Sequence, residues 1–451
     1  MRIGFVVTAT LSIALATQVA GCAGQAREPV EVGFGPTPML PAPHSTPIPT
    51  IKIAPAIGWT AGATPVAADG LAVVPFAADL DHPRWLYVLP NGDVLVAETN
   101  APVRPDDGKG IRAWFQKRVM KKAGATIPSP NRIVLLRDAD GDGKAEVKTI
   151  FLQGLNSPFG MVLIGHELYV ANTDSILRFA YVDGATQIAS AGTKVADLPA
   201  GTIDHHWTKN IIASADGSRL YATVGSNSNV AENGMQNEAN RAAILEINLA
   251  NGSSRMFASG LRNPNGLDWN PQSGELWTAV NERDELGHNL VPDYITSVVD
   301  GAFYGWPYSY YGQHVDERVK PQQPDLVAQA RVPDYALGAH TASLGLTFYR
   351  GNAQPGALPG QYAGGAFVGQ HGSWNRDPPS GYKVIFVPFA NGKPSGAPQD
   401  VLTGFLDANG DARGRPVGVT IDRKGALLVA DDVGNVIWRV TAGSRSLARS
   451  E

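Results

Sequence analysis

The feature that most constrains this chain is a short unit that returns six times, a turn followed by an alternating apolar strand ending in small or polar residues. It reads Pro90-Asn91-Gly92-Asp93-Val94-Leu95-Val96-Ala97, then Gly165-His166-Glu167-Leu168-Tyr169-Val170-Ala171 and Asp216-Gly217-Ser218-Arg219-Leu220-Tyr221-Ala222. It returns as Ser273-Gly274-Glu275-Leu276-Trp277-Thr278, weakly as Gly364-Gly365-Ala366-Phe367-Val368-Gly369, and last as Lys424-Gly425-Ala426-Leu427-Leu428-Val429-Ala430. Most copies precede a second strand, at 132–137, 175–179, 243–247, 382–387 and 435–440. The fullest copy spans 260–289: a turn carrying Arg262, a buried hairpin, and a polar loop with Glu282, Arg283 and Asp284. Short strands at uneven spacing, with few helical windows, predict radial repetition. The expectation is an all-β chain, a six-bladed β-propeller with loop insertions over residues 66–445. A large β-sandwich or two β-domains would use the same strands without closing a ring.

Composition agrees with many turns between strands: 50 Gly and 33 Pro in 451 residues, 43% of which are hydrophobic. A formal charge of −4 offers no electrostatic footprint for nucleic acid. One insertion, Gly110 to Gly124, has helical periodicity, with Ile111, Trp114, Phe115 and Val119 near one face and basic residues elsewhere. It reads as a helix over the propeller rim, or as a basic amphipathic helix able to touch a membrane surface.

The start of the chain reads as export machinery. Arg2 is the only charge among residues 1–21, and an apolar run leads to Val19-Ala20-Gly21-Cys22. This resembles a bacterial lipoprotein signal, in which the cysteine becomes the lipidated first residue. Cys22 is the only cysteine, so it has no partner for an internal disulfide. Ala23 follows it rather than an aspartate, which by resemblance points to the outer membrane. Residues 22–65, rich in Pro, Ala, Gly and Thr, are expected to be a lipidated tether that cannot fold by itself.

Propellers gather loops around a central channel, so polar clusters just beyond strand ends are the candidates for chemistry. Four stand out: Asp204 to Lys209, containing His205 and His206; Leu261 to Gly266, with Arg262 and Asn263; Gln370 to Arg376; and Ala412 to Gly418, with Arg413 and Arg415. A loop histidine can act as a base near neutral pH, and paired guanidiniums clamp carboxylates. Taken singly, each is an ordinary loop residue. Together, three arginine-bearing clusters in one ring predict an anionic ligand over the channel.

These motifs, with the Tyr304-Gly305-Trp306-Pro307 turn, resemble the PQQ-dependent soluble sugar dehydrogenases, and the sorbosone dehydrogenase branch of them, from about residue 70 to 440. The resemblance implies that His206, with His205 as the alternative, is the base that takes the sugar hydroxyl proton. It implies that Arg262 polarises the quinone and that Asn263 is a further cofactor contact. Arg413 and Arg415 match the pair that binds the cofactor's carboxylates, and Arg376 or His371 stands in for a lysine. It also implies calcium on the cofactor, with the loop 281–284 as the equivalent ligand loop, a small-molecule sugar substrate, and an electron acceptor it does not identify. The sequence departs from the family at Ser226, where the resemblance expects an acid that orients the base.

A separate signal, Asp138-Ala139-Asp140-Gly141-Asp142-Gly143, spaces three carboxylates as a calcium loop does, although Thr149 replaces the bidentate acid. An Asp-rich turn is the alternative reading, and 407–411 is a weaker case. Two other functions fit parts of the pattern. A calcium-dependent lactonase-type hydrolase would need carboxylates and asparagines converging on one metal. A non-catalytic propeller binding sugar or a partner would need no base at all.

Overall fold

Residues 24–44, 50–103 and 127–443 are described by the computed structural model. Within them, each of the six repeat units is the second strand of a four-stranded antiparallel sheet. Blade 1 contains Pro83–Val88, Val94–Glu98, Arg132–Arg137 and Val147–Leu152; blade 2 contains Met161–Ile164, Glu167–Ala171, Ser175–Ala180 and Thr193–Asp197. Blade 3 is Ile211–Ala213, Arg219–Val224, Ala243–Asn248 and Ser254–Ser259; blade 4 is Pro264–Trp269, Leu276–Val280, Pro292–Ser297 and Tyr335–Ala339. Blade 5 is Ser343–Phe348, Ala366–Gln370, Lys383–Val387 and Gln399–Thr403. Blade 6 takes Pro416–Ile421, Leu427–Asp431 and Val436–Ala442 from the C-terminal end, and its outer strand, Leu71–Ala77, from the other end of the chain. The expected six-bladed propeller is the observed fold, and this shared blade fastens the ring.

The core lies between the blades. Leu95, Ile133 and Phe151 of blade 1 pack on Leu168, Val170 and Phe179 of blade 2. Across the closure, Leu86, Val94 and Val134 meet Leu428, Ala430 and Ile437 of blade 6. Second strands are covered on both faces, and Val94–Glu98 and Leu427–Asp431 are buried at every position. Strands buried on both faces read as continuous apolar runs, which is why these strands carried the repeat. Each buried Val or Leu contributes about 1.5–3 kcal/mol, so the ring is held mainly by these interfaces.

Every first strand begins, and every second strand ends, at the same end of the ring, here called the upper end. Chain direction therefore brings His206, Arg262 and Arg415 onto one rim with Ser226, Glu282, Asp284, His371 and Asp432. The long connection 298–334 of blade 4 also reaches this rim, where the Trp306 indole donates to the Asn229 carbonyl at 2.9 Å.

The Pro-rich stretch expected to hang free is laid across the upper end instead. Phe34–Gly35 adds an outer strand to blade 4 beside Leu337 and Ala336, and Val66–Ala67 adds one to blade 5 beside Thr403 and Leu402. Between them, His44 N donates to Leu286 O, Lys52 N to Trp374 O, and Ile57 N to Ala412 O. The Trp59 indole donates to Asp431 at 2.7 Å and meets Phe405 and Trp438 edge-on. Such a composition builds no core alone, but sheet edges and loop carbonyls supply the partners it lacks. Cys22, the leader and the 110–124 insertion lie outside the described residues.

Candidate functional site

His206 sits at the rim between blades 2 and 3, just before the first strand of blade 3. Its Nδ1 lies 2.7 Å from the Ser226 carbonyl and 3.0 Å from Ser226 Oγ, whose own hydrogen goes to the Ser228 carbonyl at 2.6 Å. A carbonyl only accepts, so in the neutral ring Nδ1 carries the proton and Nε2 carries the lone pair. Burial, then the neighbouring Arg262 charge, pushes the imidazole pKa well below its ordinary value. Ser226 therefore orients the base through its main chain, at the position where an acid was expected. Gly225 makes this possible, since a side chain there would collide with His206 and with Asn263 Oδ1.

Arg262 is fixed from all sides. Nη1 donates to the Glu282 carbonyl (2.7 Å) and Asn281 carbonyl (3.3 Å), and Nη2 to Asn229 Oδ1 (3.0 Å) and Asp284 Oδ2 (3.3 Å). Nε donates to the Asn229 carbonyl at 3.3 Å. With every N–H engaged, Arg262 presents a fixed positive charge rather than a free donor. Burial opposes the ionisation of Asp284, but His340 and Arg262 outweigh it and hold the carboxyl below its usual range. Asn229 ties the group together, because its Oδ1 also accepts from Asp284 N and its carbonyl from Trp306. The Tyr304–Pro307 turn thus braces Asn229, which braces Arg262.

A second cationic group faces this one from blades 5, 6 and 1. Asp432 pairs with Arg84 Nη1 at 2.7 Å and with His371 Nε2 at 2.9 Å, and His82 lies 3.6 Å away. Burial opposes it, but His371, His82 and Arg84 hold Asp432 far below the carboxylate range. Burial, against the pull of Asp432, lowers His371 to about 4. Arg415 donates Nη2 to the Ala54 carbonyl and lies over the Tyr382 ring at 5.1 Å. Arg413 is half-buried two residues away.

Other expected site residues fall elsewhere. Arg376 donates to the carbonyls of His288, Pro378 and Glu28 and to Asn289 Oδ1, so it is a clamp between blade 4 and the Pro-rich segment rather than a group open to a cofactor. Asp138, Asp140 and Asp142 come together with Glu146, their oxygens within 4.8 Å. They lie at the lower end, away from His206, and their oxygens accept from the amides of Gly141, Gly143, Asp142 and Lys144 and from Lys424. Thr149 faces away, donating to the Thr186 carbonyl. The sequence reading missed Arg84, Asn229, His340 and Asp432. An Asp431-Asp432 doublet closing an apolar strand was the one available signal.

Buried polar atoms without a partner collect at the upper end: Nε of Arg84 and Arg415, Oδ1 of Asn227, Asn263 and Asn375, and Oε1 of Glu282. Buried groups left unpaired are costly, so this rim is built to receive a polar ligand. Three of its acids are paired with cations, Asp204 with Arg241, Asp284 with Arg262 and Asp432 with Arg84, while Asp293 and Asp431 are held by hydroxyls, indoles and backbone amides. That is unlike the convergent carboxylates of a lactonase-type site.

A family model described as Glucose / Sorbosone dehydrogenase matches residues 166–372, and one described as TrAA12-like matches 313–443. An uncharacterized protein of Borreliella burgdorferi is 30% identical over 380 residues, covering 79% of this chain and 95% of its own length. A pyrroloquinoline quinone-dependent pyranose dehydrogenase of Coprinopsis cinerea is 25% identical over 365 residues, 71% of this chain and 44% of that longer protein. The solved holo PQQ domain of the Coprinopsis cinerea pyranose dehydrogenase superposes with a TM-score of 0.66 at 20% identity, covering 84% of this chain and 97% of that one.

Proposed function

The chain belongs to the glucose/sorbosone dehydrogenase family, and from that premise we propose that it oxidises an aldose or sugar aldehyde as a PQQ-dependent quinoprotein. The observation that carries this reading is His206, held through Nδ1 by Ser226, with its Nε2 lone pair unengaged among the described residues and the Arg262 charge nearby. PQQ, when bound, would supply the hydride acceptor for the sugar carbon. His206 Nε2 takes the proton of the sugar hydroxyl, and its depressed pKa keeps it unprotonated at neutral pH. The resulting imidazolium is stabilised by the Ser226 carbonyl at Nδ1 and opposed by Arg262, which favours rapid loss of the proton. Arg262 supplies a fixed charge that needs no rearrangement during reaction. Arg413 and Arg415, joined by Arg84, would hold the cofactor's carboxylates, and the unpaired Nε atoms of Arg84 and Arg415 fit that task. The unpaired Oδ1 of Asn263 fits a further cofactor contact. Calcium would draw on the Asn281 and Glu282 carbonyls, which each keep a second lone pair beside Arg262.

The leader ending at Cys22 supports export and lipid anchoring on the periplasmic side of a bacterial envelope, at the outer membrane, with electrons passed to an acceptor there. Cys22→Ala is expected to release the protein from the membrane fraction and to abolish incorporation of labelled fatty acid. The activity is tested by titrating the full chain with PQQ and calcium, following absorbance, then adding sugars and a redox dye. Saturable uptake with sugar-dependent dye reduction is the expected result. No uptake with Arg84, Arg413 and Arg415 intact would overturn the quinoprotein reading and leave a sugar- or partner-binding propeller.

A further inference from the structure

Asp431 closes the second strand of blade 6 and is fully buried. Four N–H groups hold it, and no cationic side chain pairs with it among the described residues. Oδ1 accepts from the amides of Arg415 and Gly434, each at 2.8 Å, and Oδ2 from the indoles of Trp59 at 2.7 Å and Trp438 at 3.1 Å. Three of these donors belong to blade 6 and its loops, whereas Trp59 comes from the Pro-rich segment. Burial raises the carboxyl pKa to about 6, and first among the contacts opposing that rise is the Trp59 indole. The backbone is cleared for this contact. A side chain on Gly414 or Gly434 would strike the Asp431 carboxylate, and one on Gly434 would strike the Trp59 indole as well.

The same segment reaches Arg415 directly. Arg415 Nη2 donates to the Ala54 carbonyl at 3.0 Å, the guanidinium lies 5.1 Å from the centre of the Tyr382 ring, and Nε is buried without a partner. Alongside, Ala412 N donates to the Pro55 carbonyl at 2.7 Å, and Ile57 N to the Ala412 carbonyl at 2.8 Å. Residues 54–59 therefore run beside the loop that carries Arg413 and Arg415. We propose that residues 54–59 are part of the cofactor site, with Trp59 acting through Asp431 as a positioning residue for Arg415. The inference rests on the dehydrogenase reading above. An arginine held at its own amide and at one nitrogen of its fork has little rotamer freedom left to lose when it meets a carboxylate. Blade 6 alone supplies neither the Ala54 carbonyl nor the Trp59 donor.

The test compares the full chain with Trp59→Phe, which keeps an aromatic ring against Phe405 and Trp438 but removes the donor. A second variant, Asp431→Asn, keeps the shape of the side chain and removes its charge. PQQ affinity is measured by absorbance titration in calcium, together with denaturant unfolding without PQQ and sugar kinetics at saturating PQQ. Trp59→Phe is expected to weaken PQQ binding by at least about fivefold, leaving the sugar KM and kcat within about twofold. Asp431→Asn is expected to weaken it at least as much, because an amide cannot accept from all four donors. A contact that served stability alone would shift the unfolding transition and leave the PQQ affinity of the folded protein unchanged. PQQ affinity within about twofold of the parent in Trp59→Phe, or in Asp431→Asn if the first variant does not fold, overturns the inference and leaves the dehydrogenase reading standing. If the parent itself takes up no PQQ, the dehydrogenase reading fails and the inference falls with it.

Discussion

The two ends of the propeller use the same residue types to opposite effect. At the lower end, Asp138, Asp140 and Asp142 are spaced as a metal loop and lie together, yet backbone amides and one exposed lysine satisfy them. At the upper end, Asp284, half-buried, and Asp432, buried, stand apart in sequence, and each is held between an arginine and a histidine. Spacing made the first group conspicuous, while burial gave the second its electrostatic strength. A surface carboxylate is screened by water and contributes little, whereas a buried one depends wholly on its partners. An acidic turn is therefore conspicuous in sequence, whereas acids that depend on distant partners are not.

Substitutions should separate the two ends sharply. The largest effect is expected from His206→Ala, which should lower sugar-dependent dye reduction by about 10²–10⁴-fold with PQQ uptake retained. Because the folded pKa of His206 is depressed, the free base persists as pH falls through the ordinary value of 6.5. The acid limb of kcat/KM should therefore lie below 6.5, and a limb at or above it would contradict the burial argument. Asp432→Ala, which strands Arg84 and His371, is expected to cost about 3–5 kcal/mol in denaturant unfolding. Ser226→Ala should change kcat less than about tenfold, since the carbonyl that holds His206 remains. A larger loss would mean that Oγ, not the main chain, orients the ring. Asp140→Asn at the lower end should alter stability by no more than about 0.5 kcal/mol and leave PQQ uptake unchanged.

Much of the fold was legible because the second strand of each blade is buried on both faces, so its apolar run and leading turn survive in any one copy. The outer strand of blade 6 was not, because Leu71–Ala77 belongs to that sheet only through ring closure, more than 350 residues from its partner. Of the site, His206, Arg262, Asn263, Arg413 and Arg415 were visible as polar loops at strand ends. Asn229 was hidden, since an asparagine in a loop carries no pattern until its partners are known, and Asp432 was marked only by the Asp431-Asp432 doublet that closes its strand. Arg376 was misread for the same reason. Its four acceptors come from Glu28, from the adjacent His288 and Asn289, and from Pro378, three stretches far apart in the sequence.

By itself the sequence determined the repeat, the blade number and the strand ends at which the polar loops gather, because alternation, turns and chain direction are local properties. Only the tertiary structure decided that residues 24–44 and 50–67 lie along the upper end rather than hang as a tether. Proline-rich backbone has no fold of its own and takes whatever partners a neighbouring surface offers. The structure alone also decided that a serine carbonyl orients the histidine in place of an acid, because a main-chain oxygen belongs to every residue and only geometry singles one out.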